Sequence, residues 1–583
     1  MLLLAGLALV TYPLVAQLAA LQGPPPQAAA RPMINLPTEP ALRGFKWRSI
    51  GPAGQGARID DLAVDEKNPS TFYIGYAVSG LWKTTNNGTT FTSIFDEIGH
   101  SIGDLALAPS NPNVLYVGTG EPNNRQSSSF GFGVYKSVDA GATFTYMGLK
   151  ETQSIGRIIV HPKNPDIVWV AAVGHLFDAN PERGVFMSTD GGKTWIHSLK
   201  INQDVGATDL TIDPSNPMHL FASTYERRRA SWGFVGGGPG SGIHETMDGG
   251  KTWKPVKATA TNGLPRGTMG RIAFDWSRSN PKVIYAQIEV AKDKEPRDAA
   301  AEAAAAAAGG GGRGGGGGGG RAGGGGAAVA GAGAAGAGAA GAGAAGAGAA
   351  GGGGGQGGRG GGGTPDPQYN GIWRSIDGGK TWEYRGFENQ RPMYFSQIRV
   401  DPNNQEVVYV GGVNAQKSID GAKTFTSIEQ SKGHVDNHAI WIDPLNSQHV
   451  MYGNDGGLDV SYDGGDTWEA VRMQGAGLPY HASADMRHPY WVCTGLQDNG
   501  SWCGPSSTRT GGIHMWNWIS VGGGDGFQSA IDPTDPNIFY TESQNGAITR
   551  YDLNTGQSQS VRPQAGRGGI GRASCRERVY GLV

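Results

Sequence analysis

The sequence predicts an all-β propeller, and two repeated phrases carry this prediction. The first has the frame Ser/Thr-x-Asp/Asn-x-Gly-x-Thr-Trp/Phe and begins seven times, at Thr84, Ser137, Ser188, Thr246, Ser375, Ser418 and Ser461. The second is an apolar strand that ends in an Asp-Pro or Asn-Pro turn, as in Leu210-Thr-Ile-Asp-Pro-Ser-Asn-Pro217. Regular self-similarity of this kind indicates a repeat architecture, and helical periodicity is essentially absent.

The residue pattern of the first phrase is typical of a tight hairpin. Its Asp can accept hydrogen bonds from backbone N–H groups two residues on, and its Gly supplies the positive φ that the turn needs. The Trp or Phe opens the next strand and can bury a large apolar surface between sheets. We therefore interpret aspartates such as Asp190 and Asp463 as turn residues rather than as catalytic or metal-binding groups.

Together the two phrases define a unit of four antiparallel strands, and such units repeated radially form the blades of a propeller. Nine of these units are visible, and the last two lack a clean copy of the first phrase. They can close as one large ring, or as a seven-bladed ring followed by part of a second. The sequence leaves both arrangements open over residues 46–564.

Residues 299–363 consist almost entirely of Gly and Ala. Such a tract cannot bury enough apolar surface to offset its ordering entropy, so we expect a disordered insertion. The tract falls between the strand Val283-Ile-Tyr-Ala-Gln-Ile288 and its expected partner Gly371-Ile-Trp-Arg-Ser375. We therefore place it within a blade rather than between two domains.

Export is the expected fate of the chain. Residues 1–22 contain an apolar run that suits a signal peptide or signal anchor, and residues 23–45 read as a spacer. Cys493 and Cys503 are close enough in sequence to be bridged in an oxidising compartment, although two buried free thiols are the alternative. The net charge of −2 favours neither nucleic acid nor an anionic membrane surface as a partner.

The end of the chain has an unusual sequence. Gly571-Arg-Ala-Ser-Cys-Arg-Glu-Arg-Val-Tyr580 resembles the translation of a sequencing-library adapter. We expect residues 569–583 to be artefactual and the natural reading frame to continue beyond them.

By these phrases the chain resembles the Asp-box, or BNR-repeat, β-propellers, and in particular bacterial exported proteins with a sortilin-type N-terminal propeller. Such proteins are often labelled glycosyl hydrolases. The resemblance also rests on Gly118-Thr-Gly-Glu-Pro-Asn-Asn-Arg125, His434-Val-Asp-Asn-His438 and Gly495-Leu-Gln-Asp-Asn-Gly500. It is specific for the fold and does not by itself indicate a chemistry.

The sequence lacks motifs that two enzymatic branches of that superfamily carry. Sialidases carry an Arg-Ile-Pro motif and a tyrosine nucleophile, and no Arg-Ile-Pro occurs here. The two-propeller xyloglucan hydrolases of glycoside hydrolase family 74 place a catalytic Asp at the end of the second strand of the first blade. This chain reads Gly75-Tyr-Ala-Val-Ser-Gly-Leu-Trp82 there, without a carboxylate.

The loops opposite the repeated turns are long and polar, and functional residues concentrate on loops held by a rigid scaffold. Arg, Tyr, Trp and amide side chains suit a peptide, protein or polysaccharide ligand. The candidate ligand-binding residues are Glu121, Asn123, Asn124, Arg125, Tyr225, Arg227, Arg228, Trp232, Asn454, Gln497 and Asn499. His175 and Asp178 lie on a loop of the same kind.

The phrase His434-x-Asp436-x-His438 is a candidate metal site. Alternation along an extended strand would point all three side chains to one side, where they can hold zinc or iron. A polar network in the central channel is the alternative and the one we favour, because no further ligand is identifiable. We expect no cofactor.

The sequence is compatible with two classes of function, a binding protein and a hydrolase. The absent first-blade carboxylate and the absent sialidase signature favour a non-catalytic binding propeller. The alternative is a glycoside hydrolase whose acid and base come from Asp436, Asp455, Asp498 or Asp525, or partly from a missing second half. An inverting hydrolase needs two carboxyl groups about 6.5–9.5 Å apart.

Overall fold

The computed structural model describes residues 48–52, 56–99, 101–125, 128–291, 370–428, 434–472 and 475–562. The regular structure in these ranges is antiparallel β-strand, apart from short 3-10 helices at Lys150–Thr152, Met515–Asn517 and Gln544–Gly546. The all-β prediction is confirmed. The predicted leader (1–22), the spacer (23–45), the Gly/Ala tract (299–363) and the adapter-like tail (569–583) lie outside the described residues.

The strands form nine consecutive sheets, each of which is one blade. Blade 1 contains β1 (Ile59–Val64), β2 (Phe72–Tyr76), β3 (Leu81–Thr84) and β4 (Thr92–Ser93). Blade 2 contains β5 (Ile102–Ala108), β6 (Asn111–Thr119), β7 (Val134–Ser137) and β8 (Thr145–Tyr146). Blade 3 contains β9 (Ile155–Val160), β10 (Val168–Ala172), β11 (Gly184–Ser188) and β12 (Ile196–Leu199).

Blade 4 adds a short fifth strand to this pattern. It contains β13 (Val205–Ile212), β14 (Leu220–Ala230), β15 (Gly233–Gly236), β16 (Gly242–Thr246) and β17 (Lys254–Val256). Blade 5 contains β18 (Thr268–Trp276), β19 (Ile284–Ala291), β20 (Gly371–Ser375) and β21 (Glu383–Gly386). Blade 6 contains β22 (Ile398–Asp401), β23 (Asn404–Val410), β24 (Gln416–Ser418) and β25 (Thr426–Ser427).

The last three blades return to four strands. Blade 7 contains β26 (Asn437–Ile442), β27 (Val450–Asn454), β28 (Gly457–Ser461) and β29 (Glu469–Val471). Blade 8 contains β30 (Pro479–Ala484), β31 (Trp491–Leu496), β32 (Gly500–Pro505) and β33 (Ile519–Gly522). Blade 9 contains β34 (Ser529–Ile531), β35 (Ile538–Ser543), β36 (Ala547–Asp552) and β37 (Gln557–Ser560).

The first seven blades close into a ring. Ile59 and Ile74 of blade 1 share one buried apolar cluster with Met451 and Leu458 of blade 7. Blades 8 and 9 share a separate cluster that includes Phe539. Of the two arrangements that the sequence left open, the structure therefore adopts the seven-bladed ring followed by part of a second array.

Each interface between neighbouring blades of the ring contains a buried apolar cluster. Successive side chains of a strand point to opposite faces, so a blade inside the ring can bury both of its faces. Between blades 3 and 4, for example, Val185 and Trp169 pack in one cluster with Leu210 and Leu220. The aromatic residue that ends a repeated turn joins these clusters, as Trp253 does here.

Carboxylates tie the innermost strands together. Asp61 Oδ2 accepts the N–H of Leu105 in the next blade at 2.9 Å, and Asp104 Oδ2 accepts that of Ile158 at 2.6 Å. In blade 3 the corresponding position is Arg157, whose guanidinium contacts Asp104 at 3.0 Å and Asp209 at 2.8 Å. The central channel is therefore lined by paired charges.

The repeated turns hold hairpins together, as predicted, but with a different hydrogen-bond pattern. Asp190 accepts the backbone N–H of Thr194, four residues on, at 2.9 Å and the Thr194 hydroxyl at 2.6 Å. The Ser188 hydroxyl donates to Asp190 and accepts the N–H of Gly192. The expected bond to an N–H two residues on is wrong, because the Ser and Thr of the phrase close a wider loop around the carboxylate.

These turns predict a specific acid response. The hydrogen bonds from Thr194 and Ser188 lower the pKa of Asp190 to about 2. A depressed pKa in the folded state contributes stability above the unfolded value near 3.8, and this stability is lost as the pH falls toward 2. We expect Asp190→Asn to have a lower melting temperature at pH 7 and a shallower loss of melting temperature between pH 4 and 2. Parallel acid slopes for both proteins, measured by calorimetry, would contradict this assignment.

Two further sequence features fall on described strands. β19 pairs directly with β20 across the Gly/Ala tract, so the tract interrupts blade 5 rather than separating two domains. Cys493 of β31 faces Cys503 of β32 in the strand register, and their sulfur atoms are bonded in the structure. The bridge lies in the blade 8 hairpin whose turn carries Asp498.

Candidate functional site

The loop of residues 121–125, between β6 and β7, reaches the centre of the ring on the face opposite the repeated turns. The Asn123 amide donates to Asp60 of blade 1 at 3.1 Å. The Asn124 amide donates to the Tyr225 hydroxyl of blade 4 at 3.0 Å. One loop of blade 2 thus contacts blades on both sides of the channel.

Five candidate ligand-binding residues form the base of this face and do not line its surface. The exposed fraction of Glu121, Asn123, Asn124, Tyr225 and Arg227 is at most 3%. Their polar atoms are used within the protein: Arg227, for example, donates to Asn124 Oδ1 and to Gly174 O, each at 3.0 Å. We therefore assign them to the support of the site rather than to ligand contact.

The other candidates from the first four blades are scattered. Trp232 is 84% exposed in the turn between β14 and β15, and Arg228 on the same hairpin pairs with Asp204. The backbone N–H of Arg125 donates to Ser128 Oγ at 3.0 Å. His175 Nδ1 lies 2.9 Å from Asp178 Oδ1 on a loop of blade 3.

The remaining candidates lie in blades 7 and 8. Asn454 is fully buried and its amide donates to Asp459 at 2.5 Å, so it is a structural residue. Gln497 and Asn499 flank Asp498 in the turn between β31 and β32. The Asn499 amide donates to the carbonyls of Asp455 at 3.1 Å and Gln497 at 2.9 Å, which attaches this turn to blade 7.

Arg58 organises the centre of the face. Its Nε lies 2.9 Å from Glu121 Oε1, with both side chains at most 3% exposed. Its Nη1 lies 3.0 Å from the Tyr394 hydroxyl and 3.5 Å from Asp455 Oδ2. A buried cation of this kind is favourable only when carboxylates surround it, and Glu121 and Asp455 supply them.

Asp455 is the buried anion of the network. His438 Nε2 lies 2.8 Å from its Oδ1, and the Tyr394 hydroxyl donates to its Oδ2 at 2.9 Å. Burial alone would raise the pKa of Asp455, but Arg58 and His438 outweigh burial and hold that pKa below its ordinary value. Asp455 is therefore a permanent carboxylate that is 2% exposed and already saturated with partners.

The Tyr394–Asp455 pair contains the groups of a sialidase-type tyrosine nucleophile with an acidic partner. Tyr394 is only 4% exposed, however. Burial, followed by the charge of Asp455, raises the pKa of its phenol well above the ordinary value. The tyrosine is neutral and enclosed, which fits a hydrogen-bond donor and not a nucleophile.

Asp498 stands at the edge of this network. It occupies a left-handed backbone conformation (φ 60°) at the tip of the β31–β32 hairpin, and its N–H donates to Asp525 Oδ1 at 2.7 Å. Its Oδ2 lies 4.0 Å from Arg58 Nη1, and its side chain is 28% exposed. Burial and then the negative charges of Asp455 and Asp525 raise the pKa of Asp498 to about 9.

Asp436 is a second carboxyl residue in contact with Asp455, through its backbone. It also has a left-handed backbone (φ 67°), and its carbonyl accepts the N–H of Asp455 at 3.2 Å. Its side chain is 19% exposed and lies 3.8 Å from Arg391. Burial and then the charge of Asp455 raise the pKa of Asp436 to about 6.

The four carboxylates that were proposed as acid and base therefore meet in one place. Asp455 couples to both Asp436 and Asp498, and Asp525 holds the backbone of Asp498. Only Asp436 and Asp498 combine partial exposure with a strongly raised pKa. The two pKa values, about 6 and about 9, differ in the direction required of a base and an acid near neutral pH.

The proposed metal set does not converge. His434 Nδ1 and Nε2 lie 2.9 Å from the carbonyl oxygens of Val435 and Asp498, while His438 is bonded to Asp455. No cluster of three potential metal ligands occurs among the described residues. The reason is local: the left-handed backbone at Asp436, just before β26, breaks the strand alternation on which the prediction depended.

Several central residues were not identified from the sequence. Arg58 lies directly before β1, and Arg271 of β18 donates to Asn123 Oδ1 at 2.9 Å. A charged residue within or directly before an otherwise apolar inner strand is the signal that could have revealed both. Tyr394 lies on the link between blades 5 and 6 and has no comparable local signal.

The structure also locates the position where family 74 hydrolases would carry the first-blade aspartate. Ala77, directly after β2, is fully buried, and its N–H donates to the Arg58 carbonyl at 3.0 Å. Blade 1 contributes the Arg58 guanidinium to the site and contributes no exposed carboxylate at this position. In blade 8 the turn after the second strand does carry one, Asp498.

The chain is similar in sequence to several xyloglucanases. The chain is 25% identical over 192 residues to a xyloglucanase of Hypocrea jecorina, a match that covers 30% of this chain and 22% of that protein. It is 27% identical over 174 residues to an oligoxyloglucan-reducing end-specific xyloglucanase of Emericella nidulans, covering 28% and 19%. The matches thus span about a quarter or less of those relatives' length. No protein-family model matches the chain.

Among solved structures, a glycoside hydrolase family 74 enzyme of Niastella koreensis resembles this chain with a TM-score of 0.52 at 15% identity. The alignment covers 90% of this chain and 68% of that one. At such low identity the likeness establishes the propeller fold alone. Within the described ranges, no helix has the length and apolarity to cross a membrane.

Proposed function

We propose that this chain is part of a glycoside hydrolase that cleaves a β-linked polysaccharide of the xyloglucan type. The single observation that carries the proposal is the pair Asp436 and Asp498, two partly exposed carboxyls that both interact with buried Asp455 and have pKa values raised to about 6 and about 9. The names of the curated relatives supply the substrate class. Both observations favour the hydrolase alternative over the non-catalytic binder that we favoured from the sequence.

In the proposed reaction each of the two carboxyls transfers one proton. Protonated Asp498 donates its proton to the glycosidic oxygen as the bond from that oxygen to the anomeric carbon breaks. Ionised Asp436 accepts a proton from the water whose oxygen forms the new bond to the anomeric carbon. General acid and base catalysis of this kind contributes about 10²–10⁴-fold in rate.

Asp455 and Arg58 tune the pair without touching substrate. The fixed negative charge of Asp455 keeps Asp498 protonated, because a second nearby anion is costly in a desolvated site. Arg58 balances that charge and prevents the network from binding further protons. Asp525 orients the Asp498 turn through the Asp498 N–H.

The location of the acid agrees with a two-array hydrolase. Asp498 follows the second strand of blade 8, the first blade of the second array, whereas the corresponding turn of blade 1 carries Val78. We propose that Asp436, on the link into blade 7, supplies the second carboxyl that blade 1 lacks. The site then lies where the closed ring meets the second array.

We also propose that the enzyme acts outside the reducing cytoplasm. The Cys493–Cys503 bridge lies in the hairpin that presents Asp498, and disulfides persist in oxidising compartments.

The proposal is tested with the full-length natural protein and a panel of xyloglucan, mixed-linkage β-glucan and sialosides. We expect release of reducing ends from at least one β-glucan and none from sialosides. Saturable binding of a glucan with no turnover of any member would contradict the hydrolase and restore the binding propeller.

A further inference from the structure

The turn that carries Asp498 is held by contacts from two other segments. The Asp498 N–H donates to Asp525 Oδ1 at 2.7 Å, and the Gly500 N–H donates to the Gly524 carbonyl at 2.8 Å. Both acceptors lie on the link between blades 8 and 9. On the side of the ring, the Asp498 carbonyl lies 2.9 Å from His434 Nε2.

His434 uses both ring nitrogens on carbonyl oxygens. Nδ1 lies 2.9 Å from Val435 O and Nε2 lies 2.9 Å from Asp498 O. A carbonyl oxygen can only accept a hydrogen bond, so the bond across the array boundary forms when Nε2 carries the hydrogen and donates it to the Asp498 carbonyl.

The imidazole of His434 packs closely against Gly456 of blade 7. A Cβ added to Gly456 would lie 2.4 Å from His434 Cβ and 2.6 Å from its Cγ, so a side chain at this position would displace the imidazole. Gly456 has no positive φ, and close approach is the reason that it must be glycine. Gly456 lies in the turn between Asn454 and β28, next to Asp455.

We propose that His434 is a positioning residue that clamps the Asp498 turn of the second array onto the seven-bladed ring. A left-handed non-glycine residue such as Asp498 is strained, and surrounding contacts must hold it in that conformation. His434 supplies one contact from the ring, beside the Asn499 amide on the Asp455 carbonyl, and Asp525 supplies the contact from the link between blades 8 and 9. The ionisable side chains around the clamp are Asp436, Asp455, Asp459, Asp498 and Arg58. The catalytic part of this inference rests on the proposed function, while the clamp itself does not.

The clamp is tested by amide hydrogen exchange of the full-length protein at residues 497–500. We expect His434→Leu to exchange about five- to tenfold faster there, since each lost hydrogen bond lowers local stability modestly. His434→Gln should restore much of the protection, because its side-chain amide can donate to the Asp498 carbonyl. Gly456→Ala should loosen the turn without changing any ionisable group. His514→Leu, an exposed histidine of blade 8, is the matched control and should exchange like the parent.

Activity provides the second readout. We expect kcat of His434→Leu to fall about tenfold with KM nearly unchanged, and His434→Gln to recover most of it. Parental exchange at 497–500 in both His434→Leu and Gly456→Ala would overturn the clamp. If His434→Leu does not fold, Gly456→Ala decides alone. If exchange is faster in the variants but neither they nor the parent protein turns over glucan, the clamp is upheld and the proposed function is contradicted.

Discussion

Replacing Asp498 by Asn should lower kcat on the productive glucan by about 10²–10⁴-fold. The amide cannot give up a proton to the glycosidic oxygen, but it keeps the size and the backbone conformation of the turn. KM should change by only a few fold, because the lost interaction belongs to the transition state. Initial rates of reducing-end release, with active-site concentration normalised by folded protein, measure this effect.

The matched control is Asp485→Asn. Asp485 lies in the same blade and pairs with Arg487, but it belongs to the turn between β30 and β31 on the opposite face. It should keep parental activity. Asp436→Asn should lose activity on a scale comparable to Asp498→Asn, and a fully active Asp498→Asn enzyme would remove that residue from catalysis.

Replacing Arg58 by Met should produce the largest loss of stability. The change leaves Glu121 and Asp455, each at most 2% exposed, without their cation in the centre of the ring. Removing one partner of a buried ion pair costs about 3–5 kcal/mol, since an uncompensated charge stays buried. Denaturant titration followed by tryptophan fluorescence measures the free energy of unfolding.

Arg228→Met is the comparison variant for this prediction. Arg228 pairs with Asp204, but both side chains are more than a third exposed, and solvent screens such a pair. Its removal should cost about 0–1 kcal/mol. Equal losses for the two variants would mean that the Arg58 network does not hold blades 1, 2 and 7 together.

The fold could be predicted from the sequence because its information is local and repeated. Each copy of the two phrases encodes a hairpin, and the strands between them are apolar on both faces, as blades inside a ring require. Ring closure was not predictable in the same way. It depends on the match between Ile59 of the first blade and Met451 of the seventh, which no repeat spacing reveals.

The site was predictable in part. The polar loops on one face predicted a candidate surface, and the structure links the four proposed aspartates there through Asp455 and Asp498. The sequence could not show how deeply these side chains are buried. Glu121, on a loop, pairs with Arg58, and Arg227, on β14, donates to the Gly174 carbonyl, so neither charge is available to a ligand. The roles of Asp498 and Asp436 depend on that buried network. Their pKa values are set by Asp455, which is distant from Asp498 in sequence and adjacent in space.

The dependence of kcat/KM on pH tests the central claim most directly, since it reports the acid and the base together. Activity should rise as Asp436 ionises near pH 6 and fall as Asp498 loses its proton near pH 9. Asp498→Asn should lack the fall on the alkaline side. An optimum below pH 5, or a profile that Asp498→Asn and Asp436→Asn leave unchanged in shape and height, would contradict the assignment of this pair.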